Sequence, residues 1–274
     1  MSERPDPTDE LITGSGYTVG TFTCGPDDWR WSSDNWVGPQ RHVVFPGTPV
    51  WILPFGADPL LGTANHVLCY DGDVEFRRRL HAPDGDRCSF LRLEEDLAET
   101  AGFAASSSPA VTGGIRATSL DPVAFARHRR ILAAARSGAD PLWLDEQVYD
   151  LLRRLTAAPV PPTAGPAPNR ELVEQVKALL AASLPERLTV PDIARAVHYS
   201  PYHLSRMFRR ATGYSLHSYR QHLRLRAAFD LLRETDRPIG DIGVSMGFDS
   251  HSHFTRTFRR TFGHPPAAVR SRAA

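Results

Sequence analysis

The sequence predicts an α+β protein of two domains, an N-terminal antiparallel β-barrel or sandwich with following helices and a C-terminal all-α domain. Three observations lead to this prediction. The chain has 274 residues, enough for more than one hydrophobic core. Short β-type segments are confined to its first third, and one sequence element in its last third occurs twice.

The β-type segments alternate with turn signals between residues 17 and 93. They read YTVGTF, HVVFP, VWILPF, HVLCY, VEFRRRL and CSFLRL, and pairs such as Gly-Pro, Pro-Gly and Asp-Gly separate them. Strands at this spacing, with no long helix between them, are typical of a small antiparallel sandwich or barrel. Residues 1–16 are expected to be a loose tail, and residues 94–120 a loop with a short helix.

Four tryptophans lie in this β-rich part: Trp29, Trp31, Trp36 and Trp51. They fill the core or seal its edge in one interpretation. In the other, some of them line a pocket for a flat or apolar small molecule, an effector.

Apolar periodicity predicts two helices at Pro122–Arg136 and Pro141–Leu155, a helical pair within about 121–156. The pair either forms a homodimer interface or covers the barrel, and both alternatives stay open. Residues 17–156 are thus predicted as one domain. Residues 157–168 (AAPVPPTAGPAP) are Pro-rich and predict a linker before a domain over residues 169–274.

The duplicated element is LSRMFRRATG at Leu204–Gly213, which is echoed by FTRTFRRTFG at Phe254–Gly263. A serine suited to helix capping precedes each copy, at Ser200 and Ser250. Each copy predicts a short helix, a tight turn and a second helix, which together form a helix-turn-helix motif. The second helix of such a motif can enter the major groove of DNA.

Each second helix carries polar residues off its apolar stripe. Copy one offers Pro201, Tyr202, Ser205, Arg206 and Arg209, and copy two offers His251, Ser252, His253, Thr255, Arg256 and Arg259. Arginine can form two hydrogen bonds with guanine, and serine or threonine can reach bases or phosphates. A solvated face of an ordinary amphipathic helix would look similar, but two copies in matching register favour DNA reading.

The segment between the copies, Leu216–Arg233, predicts a long helix with two apolar stripes, and hence one packed on both sides. At 1.5 Å per residue it is roughly 27 Å long. It could therefore hold the two second helices about one DNA turn apart.

Charge is divided along the chain although the formal net charge is only +1. Residues from Arg170 onward carry 17 Lys+Arg and 9 Asp+Glu, a net of +8, and the preceding residues a net of −7. A basic module beside an acidic one fits a DNA-binding domain attached to another domain. All but one of the basic residues are arginine, which suits phosphate and guanine, although a GC-rich genome would give the same bias.

The C-terminal motifs resemble the AraC/XylS family of bacterial transcription regulators. The resemblance rests on DIARAVHYSPYHLSRMFRRATG and RLRAAFDLLRETDRPIGDIGVSMGFDSHSHFTRTFRRTFGHPP. It implies a double helix-turn-helix that binds promoter or operator DNA, with RNA polymerase as partner of an activator. The implied base contacts are Tyr202, Ser205, Arg206, His251, Ser252, His253 and Arg256. Phosphate contacts are expected from Ser200, Arg209, Arg210, Ser250, Arg259 and Arg260.

The segment ANHVLCYDGDVEFRRRLHAPDGDRCSFLRL resembles the cupin-like regulatory domain that precedes the DNA-binding domain in this family. The resemblance implies a small-molecule effector of unknown identity. Metal-binding cupins use a His-x-His motif, whereas His42, His66 and His81 stand alone here. We therefore predict no metal and no cofactor.

Three cysteines, Cys24, Cys69 and Cys88, are too few for a disulfide framework. They leave open a thiol redox or soft-metal sensor. A DNA-repair alkyltransferase would need four cysteine ligands for zinc, so no enzyme is predicted. A helix-turn-helix that serves protein interaction is a third alternative. The polar N-terminus and the absence of a long apolar run predict a cytoplasmic protein with no membrane partner.

Overall fold

The computed structural model describes residues 8–103, 113–157 and 167–271, which form two compact units. The first unit comprises the described residues up to 120 and from 127 to 157, and the second comprises 121–126 and 167–271. The predicted fold class is confirmed: the first unit is built on antiparallel sheets and the second is all-α. Most of the predicted linker, residues 158–166, lies outside the described residues.

Ten strands form two antiparallel sheets within the described part of the first unit. They are β1 Thr8–Gly14, β2 Tyr17–Cys24, β3 Asn35–Val37, β4 Arg41–Pro46, β5 Val50–Pro54, β6 Leu60–Gly62, β7 His66–Tyr70, β8 Val74–Leu80, β9 Asp86–Leu93 and β10 Ile115–Ser119. The order is β1-β2-β9-β4-β7-β10 in one sheet and β3-β8-β5-β6 in the other. The six predicted segments correspond to β2, β4, β5, β7, β8 and β9.

Two expectations about the edges of this unit are wrong. The predicted loose tail contains β1, which pairs with β2 from Thr8 opposite Phe22 to Gly14 opposite Tyr17. The predicted loop at 94–120 holds helix α1, Glu95–Thr100, but also β10, which pairs with β7. In both cases pairing with a neighbouring strand supplies the order that a short polar sequence does not signal on its own.

Side chains alternate between two environments along the strands. On β9, Asp86, Cys88 and Phe90 face the space between the two sheets, whereas Leu91 and Leu93 are buried on the opposite face. This period of two is the expected geometry of a pleated strand. The six-stranded sheet is therefore covered on both faces.

Helices α2 (Pro122–Arg136) and α3 (Pro141–Ala157) supply part of this cover. The imidazole of His128 stacks on the ring of Phe45 with centroids 3.7 Å apart, and its Nε2 lies 3.0 Å from Ser89 Oγ. On α3, Asp145 Oδ1 accepts a hydrogen bond of 2.8 Å from Tyr17 Oη. The helical pair thus packs on the sheet, as one of the two alternatives expected. A homodimer interface stays a prediction.

The second unit contains seven further helices among its described residues. They are α4 Ala167–Ala182, α5 Val190–Ala196, α6 Pro201–Thr212, α7 Leu216–Glu234, α8 Ile239–Ser245, α9 His251–Phe262 and α10 Pro266–Ser271. The pairs α5–α6 and α8–α9 are the two predicted helix-turn-helix motifs. Within the described ranges, no helix combines the length and apolar character needed to cross a lipid bilayer.

Helix α7 is buried on two faces, as its two apolar stripes predict. Its buried residues are Leu216, Tyr219, Arg220, Leu223, Leu225, Arg226, Ala228, Phe229 and Leu232. Tyr219 packs edge-on against Phe208 of α6, and Phe229 stacks on Phe258 of α9. The helix thus belongs to the cores of both helix-turn-helix motifs.

The turns of the two motifs share one backbone geometry. His198 and Gly247 both have positive φ, 51° and 76°. In each turn the next residue donates to a carbonyl five positions back, Tyr199 N to Ala194 O (2.8 Å) and Phe248 N to Gly243 O (3.1 Å). The left-handed backbone conformation costs glycine little conformational free energy, but it costs other residues more. The first motif therefore carries local strain at His198 that the second motif avoids.

These turns predict opposite responses to substitution. Gly247→Ala should lower the free energy of unfolding by about 1–3 kcal/mol, because alanine resists positive φ. Its Cβ would also lie 2.6 Å from Arg224 Nη2 and 2.7 Å from Pro185 O. His198→Gly relieves the same strain and should be neutral or stabilising by up to about 1 kcal/mol. Urea unfolding followed by circular dichroism measures both, and equal losses in the two variants would contradict this account.

Candidate nucleic-acid interface and ligand cavity

One helix of each motif has a side-chain cap at its start, α5 in the first motif and α9 in the second. Before α5, Thr189 and Asp192 form a reciprocal capping box, with Thr189 N donating to Asp192 Oδ2 at 3.0 Å. Hydrogen bonds from Thr189 hold the pKa of the Asp192 carboxyl below its usual range. Before α9, Ser250 Oγ accepts from His253 N at 3.1 Å. Ser200 occupies the N-cap position of α6, as predicted, but its side chain makes no capping hydrogen bond.

The second helices of the two motifs, α6 and α9, match in length and ending. Each has 12 residues and ends at a left-handed glycine, Gly213 (φ 77°) and Gly263 (φ 80°). Their amide groups donate to Arg209 O and Arg259 O. Leu204 and Phe208 on α6, like Phe254 and Phe258 on α9, are fully buried.

Because the buried positions match, the polar positions also present matching faces. Arg206, Arg209 and Arg210 are exposed on α6, and Arg256, Arg259 and Arg260 are exposed on α9. Several of the α9 residues line one open groove: His251, Ser252, Thr255, Arg256, Arg259 and Arg260. The structure thus leaves both sets of predicted arginines accessible to a macromolecule.

On α6, Tyr202 and Arg206 support each other. Arg206 Nη1 donates to Tyr202 Oη at 3.2 Å, and its guanidinium carbon lies 5.5 Å from the centre of the Tyr202 ring. Tyr202 is 64% exposed. Stacking on the ring restricts the arginine, so less side-chain entropy remains to be lost when it binds.

Other predicted contact residues already make hydrogen bonds or packing contacts within the protein. Ser205 Oγ donates to Pro201 O at 2.9 Å, so only its acceptor lone pairs stay free. His253 is half-buried and packs edge-on against Phe248. His251 and Ser252 are exposed, whereas Ser250 is engaged as the α9 cap.

Three arginines of α7 have structural roles that the sequence did not reveal. Arg220 donates to Ser183 O at 2.9 Å and to Glu186 O, and Arg224 donates to Leu184 O at 2.6 Å. Arg226 is 1% exposed, and its guanidinium lies over the Phe125 ring. Burial lowers the pKa of Arg224 to about 10, so it remains charged at neutral pH. The basic residues of the second unit are therefore not all available to DNA.

A cavity of about 490 Å³ lies between the two sheets of the first unit. The six-stranded sheet contributes Phe22, His42, Tyr70, Asp86, Cys88, Phe90 and Arg92, and the four-stranded sheet contributes Trp36, Val50, Ile52, Phe76 and Arg78. This size suits a small-molecule ligand. The sequence did suggest a pocket, but only from its tryptophans.

Two of the four predicted tryptophans, Trp29 and Trp36, line this cavity, and both are exposed at its mouth. Trp31 instead packs against the core cluster of Val50, Ile52, Leu68, Tyr70, Val74, Phe76 and Ile115. Trp51 lies on the other side of its strand, where the guanidinium of Arg79 stacks over it at 4.9 Å. Period-two alternation explains the split, because Trp51 sits between the inward-facing Val50 and Ile52.

A buried ion pair lies in the wall of the cavity. Arg78 Nη1 is 3.0 Å from Asp86 Oδ2, and the two side chains are 10% and 4% exposed. Burial raises the pKa of the Asp86 carboxyl to about 6, against the lowering effect of Arg78. The alternating patterns of β8 and β9 place both residues inward, a signal that was present in the sequence.

The cysteines lie in strands, and their environments disfavour thiolate chemistry. Burial raises the pKa of Cys24 to about 11 and also raises the pKa of Cys69 and Cys88. A thiol that stays protonated reacts slowly and binds soft metals poorly. Among the described residues, no group of three His, Cys, Asp or Glu side chains is placed to hold a metal ion.

Comparison with protein families matches residues 193–272 to a helix-turn-helix domain family. The chain is 34% identical over 104 residues to the regulatory protein SoxS of Escherichia coli, covering 38% of this chain and 97% of SoxS. It is 33% identical over 109 residues to the bifunctional transcriptional activator/DNA repair enzyme AdaA of Bacillus subtilis. That match covers 40% of this chain, and the chain spans only about half of AdaA, 52%.

Two solved structures are also similar to this chain. One is a transcriptional regulator from Chromobacterium violaceum with an AraC-type DNA-binding domain, 33% identical, which covers 40% of this chain and 97% of its own, with a TM-score of 0.38. The other is ToxT from Vibrio cholerae, 9% identical, which covers 96% of this chain and 99% of its own, with a TM-score of 0.40.

The structural role of Arg224 predicts a loss of stability on its removal. Arg224→Met keeps the apolar stem but removes the donor to Leu184 O and one of the two donors to Glu186 O, and should cost roughly 1–3 kcal/mol of unfolding free energy. The exposed Arg209 provides the control, because Arg209→Met should change stability by less than about 0.5 kcal/mol. Equal stabilities in urea unfolding would show that the α7 arginine is dispensable.

The Asp86 carboxyl predicts a pH effect. A folded-state pKa raised to about 6 means that Asp86 favours folding most at low pH and loses this contribution as pH rises through 6. The unfolding free energy of the wild type relative to Asp86→Asn should therefore increase by about 1 kcal/mol from pH 7 to pH 5. Parallel pH profiles of the two proteins in urea unfolding would contradict this.

Proposed function

The chain belongs to the AraC/XylS family of transcription regulators, and on this premise we propose that it binds operator DNA through α6 and α9. The observation that supports this most is the match between the two helices. Both begin after a serine, end at a left-handed glycine and leave their arginines exposed at equivalent positions. A solvated face without function gives no reason for this duplication.

In this proposal each helix occupies one major-groove segment. Tyr202 and Arg206 read bases from α6, with Ser205 as an acceptor, and Arg256 reads bases from α9 together with His251, Ser252 and His253. Helix α7 has 19 residues, about 28 Å of length, which suits two successive groove segments on one side of the duplex.

Phosphate contacts complete the proposed interface. Arg209 and Arg210 lie in the last turn of α6, and Arg259 and Arg260 lie in the last turn of α9. Ser200 has a hydroxyl that makes no capping hydrogen bond and can donate to a phosphate, whereas Ser250 would have to give up its cap. Such contacts set position and affinity, and carry no sequence information themselves.

The first unit is proposed to bind a small effector in the cavity between its sheets, and so to regulate DNA binding. The cavity is of ligand size, mostly apolar, and carries a few polar groups on its wall. Because the partner is chromosomal DNA, the cytoplasm is the proposed location. RNA polymerase as a partner and a homodimer remain expectations of the family resemblance.

The arginines predict two distinct losses of DNA binding. A duplex selected by the wild-type protein from a random library serves as the probe. Arg206→Ala or Arg256→Ala should weaken binding by about 1–3 kcal/mol and relax specificity at the base pairs that they contact.

Arg210→Ala and Arg260→Ala are the matched controls. Each should weaken binding to selected and random duplexes alike, and reduce the slope of log K against log salt by about 1. Electrophoretic mobility shift at several salt concentrations measures both effects. If the first pair of variants binds both duplexes like the wild type, α6 and α9 are not the DNA-reading helices.

A further inference from the structure

The cavity of the first unit is walled by aromatic rings around a buried ion pair. Its aromatic lining consists of Phe22, Trp29, Trp36, Tyr70, Phe76 and Phe90. We propose that it binds an aromatic molecule that presents an N–H or O–H donor to Asp86 Oδ1. This inference rests on the proposed effector-binding function and names the chemical class of the effector.

Asp86 has an acceptor that the protein leaves unused. Its Oδ2 accepts from Arg78, but its Oδ1 is buried and has no hydrogen-bond partner among the described residues. The residue is 3% exposed and lines the cavity. A buried acceptor without a partner is costly, so a ligand that donates to Oδ1 recovers that free energy on binding.

The charges around the cavity disfavour an anionic ligand. Each arginine of the lining is already paired with a carboxylate: Arg78 with Asp86, Arg30 with Asp28 and Arg92 with Glu10. The guanidinium of Arg78 also stacks on Phe22 and Phe76, at 4.4 and 5.4 Å from their ring centres. An incoming carboxylate would meet no arginine of the described lining whose charge is uncompensated and would be repelled by Asp86.

Arg78 contributes a second unused group. Its Nε is buried and has no hydrogen-bond partner in the described part of the chain. An aromatic carboxamide offers both a donor for Asp86 Oδ1 and a carbonyl acceptor. A carboxamide can therefore pair with both unused groups, Asp86 Oδ1 and Arg78 Nε, which an amine or a hydrocarbon of the same size cannot do as well.

Three probes with one ring system test the proposal on the full chain by isothermal titration calorimetry: 2-naphthamide, 2-naphthoate and naphthalene. We expect 2-naphthamide to bind at least about 10-fold more tightly than either of the others, as a hydrogen bond to a charged group predicts. Tighter binding of 2-naphthoate, or no binding of 2-naphthamide, would overturn the proposal.

Variants then locate the donor site. Asp86→Asn should reduce the preference for 2-naphthamide to within about 3-fold, whereas Asp34→Asn, at the mouth of the cavity, should leave it unchanged. The double variant Arg78→Met/Asp86→Leu guards against misfolding, because apolar replacement of a buried pair is often neutral. It should bind naphthalene but no longer prefer the amide, and an unchanged preference would place the site elsewhere.

The effect of bound 2-naphthamide on DNA affinity separates this inference from the function on which it rests. Binding to the cavity without any change in DNA affinity would leave the ligand class intact and contradict the effector role. Preferential binding of 2-naphthoate, together with a change in DNA affinity, would contradict the ligand class and support the effector role.

Discussion

The burial of helix α7 on two faces is the constraint on which the DNA-binding unit depends. A helix at a protein surface needs one apolar stripe, but α7 supplies Tyr219 to the first motif and Phe229 to the second. Neither motif is large enough to bury a sufficient core alone, so each depends on the shared helix. Arg220 and Arg224 extend this role, because they hold the backbone between α4 and α5 through its carbonyl groups.

The sequence predicts much of this unit because its signals are local. Apolar spacing, a capping serine before α9 and two terminal glycines define the elements, and their repetition defines the pair. The side chains whose role depends on tertiary contacts could not be predicted in this way. Arg224 and Arg209 are the same residue type in the sequence. In the structure, however, Arg224 donates to backbone carbonyls, whereas Arg209 is exposed. The positive φ of His198 could not be predicted either, because a histidine does not indicate a left-handed turn as the glycine at position 247 does.

The antiparallel fold of the first unit was predictable from the sequence, whereas the residues that line its cavity were only partly predictable. Six strands were found from alternation and turn residues, while β1 and β10 acquire order from their partners in the sheet. The tryptophans indicated a pocket, but the strand period placed Trp51 outside it. The same period puts Arg78 and Asp86 inside, where their pairing and their unused atoms depend on strands distant in sequence.

The packing of Arg224 has a consequence for the duplex. Its guanidinium bonds the segment that leads into the first motif and lies against Gly247 in the turn of the second. One side chain thereby links the segment before the first motif to the turn of the second. If α6 and α9 contact successive major-groove segments as proposed, this link opposes their relative movement, and a mismatch with the helical repeat of B-form DNA falls on the DNA. Binding sites should therefore favour flexible pyrimidine–purine steps between the two contacted segments, at base pairs that no side chain touches.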